Sequence, residues 1–138
     1  MAKEARKNGQ DQPGLSPLEL QIMDVVWQLG DCTSAQVIET FSERRRLAPT
    51  TIRTVLTNLR RKGYVKAIPS IERGFKLRAI VRREAVARRS VKELLQSLFA
   101  DSPQQAMAYL IEDADISGAE LEELGRLIEA RKRKNEDQ

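Results

Sequence analysis

The chain has 138 residues, 32% of them charged and only 4% aromatic, with a formal net charge of +4, one cysteine and no histidine. That length allows one or two small domains, and no run of about 18 apolar residues offers a membrane span. Without histidine, and with Cys32 alone, Ser-His and Cys-His catalysis, most zinc sites and an intrachain disulfide are removed, so no enzymatic activity, cofactor or metal is expected.

Residues 1–14 are polar, with Asn8, Gly9, Pro13 and Gly14. They lack the apolar core of a signal peptide and are expected to form a disordered arm on a cytoplasmic protein. Ser16-Pro-Leu-Glu19 then supplies an N-cap, a proline at the first helical position and a glutamate that closes a capping box. The helix it opens should bury Leu18, Ile22, Val25, Val26 and Leu29 and stop at Gly30. Trp27 is read as a core or dimer-packing residue. Cys32, beside Asp31, is read as a core or turn residue, because the neighbouring negative charge disfavours a thiolate. Thr33-Ser-Ala-Gln36 is a second capping box, opening a helix with Val37, Ile38 and Phe41 inside.

Arg44-Arg-Arg46 makes a basic turn into the stretch Pro49 to Gly63. Proline suits the first helical position and glycine the left-handed residue that ends a helix. Ile52, Val55, Leu56 and Leu59 recur at helical spacing and form one apolar stripe. At 100° per residue, Thr50, Thr54, Thr57 and Arg61 fall opposite, with Arg53 and Asn58 flanking them and Thr51 nearer the edge. No acid occurs anywhere along this helix. Hydroxyls, an amide and arginines are groups that meet phosphates and base edges. Two short helices joined by a turn, the second basic and polar outside, predict a helix-turn-helix.

After Gly63 the period changes to two. Tyr64 to Ile68 alternates, Pro69 to Gly74 supplies a turn, and Phe75 to Ile80 alternates again, with Phe75, Leu77 and Ala79 on one face. A hairpin behind a recognition helix is the wing of a winged helix, with Arg73 near its tip. Helical spacing returns from about Val81, with Val91, Leu94, Leu95, Leu98 and Phe99 on one side. Ser102 and Ser117 cap two further helices, one holding Met107, Leu110 and Ile111, the other Leu121, Leu124, Leu127 and Ile128. These three helices are too small to bury their stripes alone, which predicts a homodimer through them.

Charge is segregated along the chain. From Arg44 to Lys92 there are 16 Lys/Arg against Glu72 and Glu84, whereas Asp101 to Glu129 holds eight acids against Arg126. A basic middle beside an acidic C-terminal part suggests polyanion binding and a second, separate task.

The Leu15-Ser-Pro-Leu-Glu19 opening, Trp27, Thr51-Ile-Arg-Thr54, Arg61-Lys-Gly63, Asp115-Ile-Ser117 and Leu121-Glu-Glu-Leu124 together resemble the BlaI/MecI/CopY family of bacterial penicillinase-type repressors. The resemblance covers about Leu15 to Ile128. It implies a mainly α fold with a small β-hairpin wing: a winged helix-turn-helix domain over residues 15–81, a three-helix dimerisation domain over 82–131 and a charged tail over 132–138. It also implies a homodimer on a palindromic double-stranded DNA operator, repressing resistance or stress genes. Carried over, Thr51, Arg53, Thr54 and Arg61 would lie on or beside the DNA, with Lys62 and Arg73 on phosphates. The dimer would form through Leu94, Leu95, Leu98, Met107, Leu110, Ile111, Leu121, Leu124 and Ile128.

Three departures bear on regulation. Members often carry serine where Ala48 stands, so the cap of the recognition helix is missing. Members released by a sensor-linked protease are cut at an Asn-Phe bond, and the corresponding pair here is Tyr109-Leu110. Copper-responsive members carry a C-terminal cysteine cluster, absent here. Specificity is expected in Arg53, Thr54, Thr57 and Asn58, and sequence-independent affinity in residues such as Arg89. The alternatives are a winged-helix protein–protein module whose basic face meets an acidic partner, and a regulator responding to a small ligand.

Overall fold

The structure, a computed structural model, describes residues 12–72 and 74–138. Among the described residues, six helices and one hairpin follow in the order α1 (Pro17–Leu29), α2 (Ser34–Ser42), α3 (Pro49–Lys62), β1 (Val65–Pro69), β2 (Phe75–Ala79), α4 (Arg83–Leu98), α5 (Pro103–Asp113) and α6 (Gly118–Glu136). The fold is mainly helical with a two-stranded antiparallel wing, pairing Val65 with Ala79 through Pro69 with Phe75.

Local chemistry accounts for the helix ends. Ser16 and Glu19, Thr33 and Gln36, and Ser117 and Glu120 each close a reciprocal capping box, so two orphan N–H groups are satisfied at the start of α1, α2 and α6. Helix α3 ends at Gly63 with φ 90°, a left-handed conformation that favours a residue without a Cβ. At its other end Ala48 offers no side-chain acceptor. An Ala48→Ser substitution should therefore stabilise the first unit by about 1 kcal/mol, a rise of roughly 4–8 °C in Tm for a domain of this size. Thermal unfolding of the two proteins checks this; an unchanged or lower Tm would mean the turn already satisfies those N–H groups.

The chain forms two compact units, residues 1–92 and 93–138. In the first, α1 packs against α2, α3 and β2. Packing on more than one side explains why its buried arc is broader than a single stripe. Met23 is fully buried beside Ile22, Val25 and Val26, whereas Leu29, expected inside, is 38% exposed at the helix end. Val37, Phe41, Ile52, Leu56, Leu59, Tyr64 and Leu77 complete the core. Cys32 is buried there and exchanges both backbone hydrogen bonds with Leu77, at 3.0 and 2.6 Å. Burial, reinforced by the charge of Asp31, pushes its thiol pKa up and keeps it protonated. Trp27 is half-buried and its Nε1–H donates to the Val81 carbonyl at 2.9 Å, fixing the chain just ahead of α4.

Val81 and Val86 also belong to this core, so the first unit takes in the start of α4 rather than ending at residue 81. Two terminal expectations change as well. Of the arm expected over residues 1–14, residues 1–11 lie outside the described residues, but Gln12 is buried and the carbonyls of Gln12, Pro13 and Gly14 each accept a side-chain hydrogen bond. The charged tail expected from residue 132 continues α6 to Glu136. Basic side chains in a last helical turn complement the helix dipole, and Lys132 pairs with Glu129 at 3.5 Å.

The second unit consists of the end of α4 with α5 and α6. Phe99 and Tyr109 meet edge to face, with centroids 5.7 Å apart. None of residues 93–138 is buried.

Candidate nucleic-acid interface

Helix α3 is held by Ile52, Val55, Leu56 and Leu59, all buried, which turns its opposite arc to solvent. Thr50, Thr51, Arg53, Thr54, Thr57 and Arg61 are exposed there and Asn58 is half-buried. The hydroxyl of Thr54 donates to the Thr50 carbonyl at 2.9 Å and that of Thr57 to the Arg53 carbonyl at 3.0 Å. With their protons turned into the helix, these hydroxyls present lone pairs outward beside their methyl groups. Such a surface accepts from the amino groups of cytosine or adenine and packs on a thymine methyl. Arg61 donates to Asn58 Oδ1 at 3.2 Å, which leaves the Asn58 amide NH2 as a donor. Arg53 has no partner among the described residues, so its five donors are available.

The surrounding cations divide into structural and exposed ones. In the turn before α3, Arg44 donates to Asp24 at 2.7 Å and to Gln28 at 2.6 Å, and Arg45 donates to Gln21 at 3.2 Å. These two tie the turn to α1, while Arg46 stays exposed. On the wing, Arg78 grips Asp31 through two bonds of 2.9 and 2.7 Å, and that guanidinium holds the Asp31 carboxyl below the usual carboxylate range. The pair offsets the like charges of Lys66 and Arg78, which face each other across the hairpin.

Two expected site residues fall differently, and a third is not described. Lys62 is not turned outward: its ammonium donates to Glu19 Oε1 at 2.8 Å and to the Gly14 carbonyl at 3.1 Å, and its side chain is 21% exposed. Arg89, expected to bind DNA without regard to sequence, is half-buried and donates to the Gln12 carbonyl. Arg73 lies outside the described residues. Phe75, placed on the inner wing face by alternation, is 46% exposed because it sits at the strand end, where the Arg60 guanidinium covers its ring at 5.1 Å from the centroid. Arg60 is a residue the helical pattern did not single out. It links α3 to the turn end of the wing, where Phe75 pairs with Pro69, by a cation–π interaction.

The expected dimer residues are on the second unit. Leu94, Leu98, Met107, Leu110, Ile111, Leu121, Leu124 and Ile128 are all between 41% and 71% exposed, and Leu95 is half-buried. Tyr109 and Leu110, expected to correspond to the cleaved pair, lie within α5 at 51% and 59% exposure. Among the described residues no group of three or more His, Cys, Asp or Glu is placed to hold a metal ion, and no helix is long and apolar enough to cross a membrane.

A family model described as "Penicillinase repressor" matches residues 15–130. The methicillin resistance regulatory protein MecI of Mammaliicoccus sciuri is 23% identical over 114 residues, covering 83% of this chain and 92% of its own length. MecI of Staphylococcus aureus (strain N315) is 22% identical over the same shares. Among solved structures, monomeric BlaI of Bacillus licheniformis, in complex with the blaP half-operator, is 27% identical; the match covers 54% of this chain and 90% of that one, with a TM-score of 0.48.

Proposed function

The chain belongs to the penicillinase repressor family and is a DNA-binding transcriptional repressor; from that premise we propose that it acts as a homodimer on a palindromic operator, in the cytoplasm, controlling resistance or stress genes. The exposed arc of α3 carries this reading. It holds Thr50, Arg53, Thr54, Thr57, Asn58 and Arg61 without an acid, and its hydroxyls and arginine present opposite hydrogen-bonding characters to base edges. Thr51 lies at the margin of that arc, and Arg73 would reach phosphate from the wing.

The domain division that fits this function is a DNA-binding unit ending within α4 and a dimerising unit made of α5, α6 and the end of α4. The family is one of repressors and not a class of enzymes. Occupancy of the operator blocks transcription by mass action, and release follows when the dimer is weakened. A sensor-linked protease acting at Tyr109-Leu110 would have to unwind α5 locally, since the pair lies inside that helix.

Selection from a pool of random duplexes at several salt concentrations tests the proposal. The expected result is a two-fold symmetric motif with half-sites about one helical turn, or a multiple of it, apart. Affinity should fall linearly on a log–log salt plot, with a slope of about −0.9 per phosphate neutralised. Retention of duplexes without any shared motif would overturn the operator reading.

A further inference from the structure

Lys62 ends the recognition helix, yet its charge is engaged inside the protein. Its ammonium bridges the first turn of α1 and the segment before it: the Glu19 carboxylate at 2.8 Å and the Gly14 carbonyl at 3.1 Å. Glu19 is itself fixed, since it is only 6% exposed and also accepts from the Ser16 N–H at 2.8 Å in the capping box of α1. Burial pushes the Glu19 pKa up, but the Lys62 ammonium and the Ser16 N–H more than offset this, so it stays ionised at neutral pH. The preceding carbonyls are held in the same way, Pro13 by the Tyr64 hydroxyl and Gln12 by Arg89. One strap of three residues therefore joins the last residue of α3, the residue before β1 and Arg89 in the first half of α4.

We propose that Lys62 is a positioning residue for operator binding: with Glu19 it anchors the C-terminal end of the recognition helix to the cap of α1 and so sets the angle at which α3 meets the base edges. Ile52, Val55, Leu56 and Leu59 bury the inner face, but apolar contacts are non-directional and by themselves specify the tilt of the helix less sharply than a hydrogen-bonded pair does. A part-buried, hydrogen-bonded ion pair at one end narrows that latitude. Base readout depends on such fine placement, because bidentate hydrogen bonds to base edges tolerate little displacement, whereas long exposed side chains adapt to the phosphates they meet.

This inference rests on the operator reading, and the test separates the two. Full-length wild type, Lys62→Met, Lys62→Arg, Glu19→Gln and the double variant Glu19→Gln/Lys62→Met are titrated with the selected operator duplex and with a scrambled duplex across a salt series, well below the Tm of each protein. The expected result for Lys62→Met and Glu19→Gln is a loss of about 10-fold on the operator, little change on the scrambled duplex and an unchanged salt slope, with Lys62→Arg restoring most of the loss. Glu19→Gln gives the sharpest sign, because removing an acid from a DNA-binding protein would by long-range charge alone tighten binding to every duplex. If Lys62→Met leaves an unpaired carboxylate that prevents folding, the double variant takes its place, as it leaves neither charge. A salt slope reduced by about 0.9 with equal losses on both duplexes would make Lys62 a phosphate ligand and overturn the proposal. Unchanged operator affinity in all variants would overturn it too. A wild type that prefers no duplex would instead sink the operator reading itself.

Discussion

Replacing Leu124 with Asp should leave the protein monomeric and lower its affinity for the full operator by about 10²–10⁴-fold, the avidity that joining two half-site binders confers. Leu124 is 41% exposed in α6, in line with Leu121 and Ile128, and no residue of 93–138 is buried. A helical unit without a buried residue has nothing to offset the entropy of ordering its chain, yet it is built from well-capped helices. In the proposed homodimer a second copy would supply the missing core. Each leucine transferred from water to such a core contributes about 1.5–3 kcal/mol, so the exposed leucines and isoleucines of α4, α5 and α6 are ample for a stable dimer. An aspartate in their midst would have to be desolvated without a partner, which costs several kcal/mol. Sedimentation and operator titration of the variant check both halves of the expectation. A variant that remains dimeric would move the interface elsewhere, and a monomer that binds the full operator as tightly as wild type would remove dimerisation from the mechanism.

The features legible in the sequence were those whose partners lie within one or two helical turns. Ser16 and Glu19, Thr33 and Gln36, and Ser117 and Glu120 are each three residues apart, so their capping boxes could be read directly and are present. Pro49 and Gly63 bound α3 as their backbone preferences require. The apolar stripe of α3 was likewise readable, because a 3.6-residue period leaves little choice about which arc is buried.

What escaped the sequence depends on interactions between distant elements. Lys62 and Glu19 are 43 residues apart and Arg89 and Gln12 are 77 apart, so basic side chains that looked outward by composition are partners of internal groups. A lysine at the end of a basic helix is equally suited to a phosphate and to a capping carboxylate; only the packing of α1 against α3 decides. The role of Arg60 is hidden from the helical pattern for the same reason, since its partner Phe75 reaches it through the register of the wing. The C-terminal run Arg131 to Lys134 resembled a solvated tail, whereas at the end of α6 the same charges favour helix.

The second large effect is expected at Arg53. It stands on the exposed arc of α3 beside Thr50, Thr54 and Thr57, and unlike Arg44, Arg45, Arg60, Arg61, Arg78 and Arg89 it has no partner among the described residues. An unpaired guanidinium on a recognition helix is free to bond in bidentate fashion to guanine O6 and N7, worth about 1–3 kcal/mol of discrimination. Arg53→Ala should therefore weaken operator binding by roughly 5- to 150-fold, leave the scrambled duplex and the salt slope nearly unchanged, and erase preference at one position in each half-site. Arg46, exposed in the turn ahead of α3, supplies the contrast. Arg46→Ala should lower affinity for every duplex alike and reduce the slope by about 0.9 for each phosphate that is no longer neutralised. Repeating the selection with both variants checks this, since the motif recovered with Arg53→Ala should be degenerate where the wild-type motif holds a guanine. Equal, sequence-independent losses for the two variants would place Arg53 on the backbone and leave base readout to Thr54, Thr57 and Asn58.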